Sequence, residues 1–235
     1  MPARHPRRAP PLPRRGATMT TAKRRRGKFI VLEGIDGSGT TTQLRHVGEW
    51  LTSRGELVHE TFQPSSGPFG AQIRLILRGR LVATPGRGKV APVDPAVVAL
   101  LFAADRLDHL HNEIQPHLEA GHHVLCDRYV MSSFAYQGLD TDLRFVRQIN
   151  DKALAPDLTV FLRVRPDVAM ARIEGARLER DSFEKLGVQR KVAKAYEDVL
   201  TASGKRWGPV VTIDGEEPVS KVRQNVRAAV DSLLA

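Results

Sequence analysis

The chain holds a single cysteine, Cys126, only 6% aromatic residues, and no apolar run near the ~20 residues that a membrane-spanning helix needs. One cysteine excludes an internal disulfide and fits a reducing compartment, so no membrane and a cytoplasmic location are expected. Cys126 lies in an apolar stretch and reads as a small buried hydrophobe rather than a nucleophile. Acidic residues are missing from residues 1–28, which carry ten of the 36 Lys and Arg. The 26 cations that remain equal the 26 acids, so the formal charge of +10 belongs to this segment and the rest is formally neutral. A specific nucleic-acid partner is therefore not expected, and any weak attraction to polyanions belongs to the tail. The tail carries Pro2, Pro6, Pro10, Pro11 and Pro13 and has little to bury, which predicts disorder over residues 1–27. It lacks the apolar stretch of a secretory signal. Its arginines fit an organellar transit peptide and its prolines oppose one; initiation at Met19 is the plainer alternative. Metal-ligand spacing is missing as well: His109 and His111 diverge on a helix, and His122 and His123 adjoin in a turn.

What is present is an alternation. Short apolar runs of β character occur at Phe29–Leu32, Leu57–Phe62, His123–Cys126, Leu158–Val164 and Val210–Ile213. Helical patterns fall between and after them at Thr42–Arg54, Asp94–Glu119, Thr141–Ala153, Pro166–Ile173, Ser182–Leu200 and Pro218–Leu234. Asp94 reads as an N-cap with Pro95 at the first helical position. Strands buried on both faces and alternating with helices predict an α/β fold, a doubly wound parallel five-stranded sheet spanning residues 28–235. Ligands bind such sheets beyond the carboxyl ends of the strands, so the polar residues there matter most.

The first strand runs into Glu33-Gly34-Ile35-Asp36-Gly37-Ser38-Gly39-Thr40-Thr41-Thr42 and then a helix. Gly34 and Gly39 have the spacing of the phosphate loop G-x-x-x-x-G-K-[ST], in which successive N–H groups and a helix N-terminus face phosphate oxygens. Thr41 takes the place of the hydroxyl that ligates Mg²⁺, and Thr40 stands where lysine belongs. A transition-state donor of that kind contributes roughly 10²–10³ in rate. Either another cation replaces it or the chemistry is slow or absent.

A second block is Leu101-Phe102-Ala103-Ala104-Asp105-Arg106, followed by Asp127-Arg128-Tyr129-Val130-Met131-Ser132-Ser133-Phe134-Ala135-Tyr136-Gln137-Gly138. With the phosphate loop it closely resembles the bacterial thymidylate kinases, from about Lys28 to the C-terminus. The pattern D-R-Y-x-x-S-S-x-A-Y-Q-G is specific to that family; the phosphate loop alone is not. The resemblance implies Mg²⁺-dependent phosphoryl transfer from ATP to dTMP, a P-loop kinase fold with a helical lid, and a homodimer. It implies that residues Gly34 to Thr41 bind ATP and that Phe102 stacks on thymine with Arg106 at its polar edge. Ser133 and Gln137 are implied to bond the base, Arg128 and Arg74 to hold the monophosphate, and Tyr136 to pack where a 2′-hydroxyl would project. Guanidinium forks suit phosphate and an aromatic face suits a base. Asp127 is placed to assist Mg²⁺, and Asp36, expected among the catalytic residues, to approach sugar or metal. By position alone, Phe102 and Tyr136 read equally as core, Arg74 and Arg106 as solvated helix residues, and Asp127-Arg128 as a structural ion pair.

The stretch from Glu174 to Ser182 resembles the family's lid, and since Gly37 is not arginine, Arg177 and Arg180 are implied to be catalytic. Two departures stand out besides Thr40. Relatives usually have Arg-Glu-Pro where this chain has Phe62-Gln63-Pro64, and the basic loop 79–93, with Arg87 and Lys89, matches no family role. Two alternatives share the same residues: a nucleotide-binding homologue impaired by loss of the lysine, or a kinase for another nucleoside monophosphate or a deoxynucleoside. No Asn-Lys-x-Asp guanine signature supports a GTP switch.

Overall fold

The computed structural model describes residues 25–86, 88–174, 182–202 and 204–235. Its elements run β1 (Phe29–Glu33), α1 (Thr40–Ser53), β2 (Val58–Phe62), α2 (Pro68–Leu77), α3 (Pro95–His109), a π turn (Leu110–Ile114), α4 (Gln115–Glu119), β3 (His123–Asp127), α5 (Val130–Asp140), α6 (Leu143–Ile149), β4 (Leu158–Arg163), α7 (Pro166–Glu174), α8 (Ser182–Ala202), β5 (Val210–Asp214) and α9 (Val219–Leu234). The five strands form one parallel sheet in the order β2-β3-β1-β4-β5. All five expected strands are present, with bounds shifted by at most a residue.

β1 lies at the centre and is buried throughout. Alternate residues face opposite cores, as the pleat requires. Phe29 and Val31 pack with Leu110, Ile114 and Leu118, with Phe134 of α5 and with Val192, Tyr196 and Val199 of α8. Ile30 and Leu32 pack with Leu44, Val47 and Leu51 of α1 and Val222, Val226 and Val230 of α9. Helices on both faces explain why the strands read as unbroken apolar runs rather than alternating ones. The strand order reverses at β1, so a crevice opens beyond its carboxyl end. That is where residues 34–41 lie.

The N-cap reading of Asp94 holds: its carboxylate accepts from Ala96 N at 2.8 Å. The helix expected over 94–119 is continuous but bulges through the π turn. The helix expected over 141–153 is shorter. Thr141 is extended, Asp142 caps the start by accepting from Arg144 N, and the helix ends at Ile149. Among the described residues no helix is long and apolar enough to cross a membrane.

Candidate active site

The phosphate loop is a curl between β1 and α1. Gly37 and Gly39 have φ of +82° and +93°, a region that costs an L side chain roughly 1–2 kcal/mol. Ser38 N donates to the Ile35 carbonyl at 3.1 Å, and Gly39 is the N-cap of α1 with no side chain to fill its donors. The free N–H groups of the first turn therefore face the crevice. A β-carbon on Gly37 would come within 2.4 Å of the Ala169 carbonyl of α7, so this position has no room for a side chain. Thr40, at the lysine position, is buried.

β3 runs beside β1 with Asp127 opposite Leu32. Thr41 Oγ1 donates to Asp127 Oδ2, joining the phosphate loop to the end of β3. Asp127 Oδ1 is buried and has no protein partner, and Ser38 Oγ is in the same state. The chain then turns sharply. Arg128 takes a φ of +69°, the one positive value at a non-glycine among the described residues. Such a conformation persists only where surrounding contacts hold it. The contacts are present: Nη2 donates to Asp36 at 2.7 Å, and Nη1 donates to the Gly34 carbonyl at 2.9 Å. Nη1 also lies 3.4 Å from the Tyr136 hydroxyl, whose ring sits beneath the guanidinium. Asp127 and Arg128 are thus not paired with each other; each binds a different part of the phosphate loop. Asp36 receives a second bond, 3.0 Å from Gln189 Nε2 of α8.

The group that organises this turn is Glu33, which the motif contained but to which sequence reasoning assigned no role. It is fully buried at the end of β1. Its carboxylate accepts from Tyr129 N (2.9 Å), Ser132 N (3.2 Å), Ser132 Oγ (2.6 Å) and Tyr196 Oη (2.9 Å). The backbone donors at the start of α5 and two hydroxyls together saturate the carboxylate. Burial pushes the Tyr196 hydroxyl far up, with Glu33 adding to the shift, so it stays a donor. Burial likewise pushes the Cys126 thiol up, consistent with an inert residue.

On the other side, α3 and α5 bring Arg106 and Ser133 together. Arg106 is only 1% exposed, so it is not a solvated helix residue. Its Nε donates to Gln63 Oε1 at 3.1 Å, its Nη1 to Asn150 Oδ1, and its Nη2 to Ser133 Oγ at 2.8 Å and the Tyr129 carbonyl at 3.2 Å. Burial lowers its affinity for a proton, against the pull of Tyr129, Glu33 and Asp105. Phe102 is half-buried one turn before it. Gln137, one turn beyond Ser133, has its Oε1 buried without a partner. Arg74 of α2 donates to the carbonyls of Pro64 (2.9 Å) and Ser65 (2.6 Å). Ser65 is held in turn by Asp105, which accepts from its N (2.8 Å) and its Oγ (2.6 Å). Asp105, Asn150 and Gln189 were invisible as site residues because their partners lie 40 or more residues away in the chain, while Gln63 stood out only as a departure from the family's glutamate. Arg177 and Arg180 lie outside the described residues, as does Arg87.

Comparison with known proteins gives the family. The family model described as Thymidylate kinase matches residues 32–226. A thymidylate kinase of Nostoc sp. is 36% identical over 210 residues, covering 85% of this chain and 95% of its own. One of Caldicellulosiruptor saccharolyticus is 34% identical over 218 residues, covering 89% and 98%. A probable thymidylate kinase of Pyrobaculum calidifontis is 39% identical over 208 residues, covering 88% and 97%. The chain belongs to the thymidylate kinase family, the nucleoside-monophosphate kinases that phosphorylate dTMP with ATP.

Proposed function

We propose that residues 34–41 hold the donor phosphates of ATP while Phe102, Arg106, Ser133, Gln137, Tyr136, Arg74 and Arg128 hold dTMP. The observation that carries this reading is the position of Arg128. One guanidinium touches Asp36 and the Gly34 carbonyl of the donor loop and the Tyr136 hydroxyl of the acceptor motif. Direct transfer between two nucleotides needs donor and acceptor phosphates held side by side with their charge neutralised, and an arginine at the junction of the two motifs suits that. Gln137 Oε1 and Ser38 Oγ, buried without protein partners, are suited to accept and donate to ligand groups.

Mg²⁺ fits at Thr41 and Asp127: a hydroxyl and a carboxylate meet there, and the second carboxylate oxygen is buried and unpartnered. Bound there, it would neutralise charge on the donor phosphates. With lysine absent at 40 and no room for a side chain at 37, the remaining charge on the transferring group falls to Arg177 and Arg180. The bond from Gln189 to Asp36 ties the phosphate loop to α8, the helix that follows the expected lid at residues 174–182. Val97, Leu100 and Leu107 form an exposed apolar stripe along α3, and Leu75 and Leu77 of the neighbouring α2 are exposed as well. These residues suit a second copy of the chain and support a homodimer. The buried single thiol fits a cytoplasmic location, and residues 1–27 are read as an appended basic segment.

The test is ADP release across dTMP, dUMP, UMP and dGMP. Turnover with dTMP well above UMP is expected. Equal turnover would point to a kinase for another monophosphate, and none above buffer to a nucleotide-binding homologue without catalysis.

A further inference from the structure

Sequence spacing left the histidines without a role, yet the fold joins His109 to Arg106 through Gln63 and gathers three more toward the amino ends of β2 and β3. His59 stacks on His117 with ring centroids 3.7 Å apart, and His117 meets His122 edge-on. His109, at the end of α3, is buried directly beneath Gln63. A line of hydrogen-bonding groups runs from Arg106 to Glu113. Arg106 Nε is 3.1 Å from Gln63 Oε1, and Gln63 Nε2 is 3.2 Å from His109 Nδ1. His109 Nε2 is 2.8 Å from Thr61 Oγ1, and Thr61 Oγ1 donates to Glu113 Oε1 at 2.6 Å.

The ends of this line decide its direction. Arginine has only donors, so the Gln63 atom facing it is the oxygen. The amide nitrogen then faces His109 Nδ1 and needs an acceptor, which places the ring proton on Nε2. That proton goes to Thr61, whose own proton goes to the carboxylate of Glu113. Burial opposes ionisation of Glu113, but hydrogen bonds from Thr61 and His59 and the adjacent His109 hold its carboxyl down at about 2, so it remains an acceptor. Each link has one allowed sense. Protonating His109 would set two donors against each other at Nδ1, and the amide could answer only by turning its oxygen away from Arg106.

We infer that His109 is a positioning residue for the acceptor nucleotide: as a neutral ring it orients the Gln63 amide, which orients Arg106 and through it Ser133 and Tyr129. The groups facing the ring are Thr61 and His59 of β2, Gln63 of the next loop, and Asp105 and Glu113 one turn to either side along its own helix. Burial lowers the proton affinity of His109 against the pull of Glu113 and Asp105, which agrees with a neutral ring. A glutamate at 63 would present only acceptors to Nδ1 and call for a proton there, either by moving the ring to its Nδ1–H tautomer or by making it an imidazolium.

The inference rests on the dTMP reading of the pocket, and the experiments separate the two. Nitrogen-15 NMR of the free protein is expected to show His109 as the Nε2–H tautomer at pH 7, and Gln63→Glu to raise its titration midpoint by a unit or more. An Nδ1–H tautomer, or a midpoint unmoved by Gln63→Glu, overturns the inference whatever the enzyme's substrate. In kinetics, His109→Leu is expected to raise the dTMP KM about tenfold, the equivalent of losing one net hydrogen bond, with kcat and the ATP KM within about twofold. His109→Asn keeps an acceptor at the Nδ1 position and should restore most of the dTMP KM. His109→Gln, whose amide overlays Nε2, should not. Equal behaviour of the Asn and Gln variants, or a dTMP KM unchanged by Leu, overturns the inference while leaving dTMP turnover standing. No dTMP turnover in the wild type sinks the functional reading instead, and the tautomer result then decides the hydrogen-bond line alone.

Discussion

Glu33 and Ser132 are joined twice: one carboxylate accepts both the backbone N–H and the hydroxyl of the same serine, at 3.2 and 2.6 Å. Because Glu33 ends β1 and Ser132 lies in the first turn of α5, this clamp fixes the position of Arg128 between them. A glutamine at 33 would turn its NH₂ toward either the two backbone N–H groups or the Ser132 and Tyr196 hydroxyls, so two of the four donors lose their acceptor. Glu33→Gln is expected to cost about 1–3 kcal/mol of folding stability and to lower kcat/KM for dTMP, checked by urea denaturation beside steady-state kinetics. A fully stable, fully active variant would show that the clamp is dispensable.

Arg128→Ala should raise the dTMP KM by at least about tenfold, since a phosphate that loses its guanidinium is left with uncompensated charge. It also removes the partner of Asp36 and the bond to the Gly34 carbonyl, while a φ of +69° is no easier for alanine than for arginine, so stability should fall as well. Isothermal titration with dTMP and a melting curve test the two separately, and an unchanged dTMP affinity would make Arg128 purely structural.

The absent lysine yields a non-additive set of variants. If Arg177 and Arg180 carry the charge that lysine would share, loss of the worse one should lower kcat at least ~10²-fold with little effect on dTMP binding. Thr40→Lys should raise kcat or partly rescue either loss, because both cations serve the same developing charge. Single-turnover rates of the four proteins and their combinations decide it. Robust wild-type turnover insensitive to either arginine would move the role to another cation, with Lys89 and Arg87 next.

Two groups in the buried histidine line make stability depend on pH. Burial holds His109 below its ordinary 6.5, so the unfolded chain takes up that proton first, and stability is lost as pH falls below about 6.5. Glu113, held at about 2 against an ordinary 4.5, contributes stability that is present above 4.5 and lost between there and 2. The denaturation midpoint should fall in both windows. His109→Leu should flatten the upper one and Glu113→Gln the lower; a midpoint flat from pH 7 to 5 in the wild type would exclude the first.

The parts of this protein legible from its sequence are those whose causes are local. β1, β3 and β4 are buried on both faces and read as apolar runs, and the glycines at 34, 37 and 39 announce a curled loop. α5 was read as a motif and not as a helix, because Ser132, Ser133 and Gly138 are weak helix formers and its start is set by Glu33, about a hundred residues earlier. Thr141 was included in a helix that Asp142 in fact caps. Arg106 illustrates the same limit within the site. Its place on α3 was readable, but its burial depends on Gln63, Tyr129, Ser133 and Asn150, which only the folded chain brings together.

The chain enters the sheet from its far side. Gly27 N donates to the Leu118 carbonyl, a β-carbon on Gly27 would strike the His122 carbonyl, and Arg26 pairs with Asp157 just before β4. These contacts sit at the amino ends of the strands, a full strand length from the loop that grips phosphate. A support joined at residue 26 would therefore hold the enzyme by the end of the sheet opposite residues 34–41, and the crevice there would stay facing open solution.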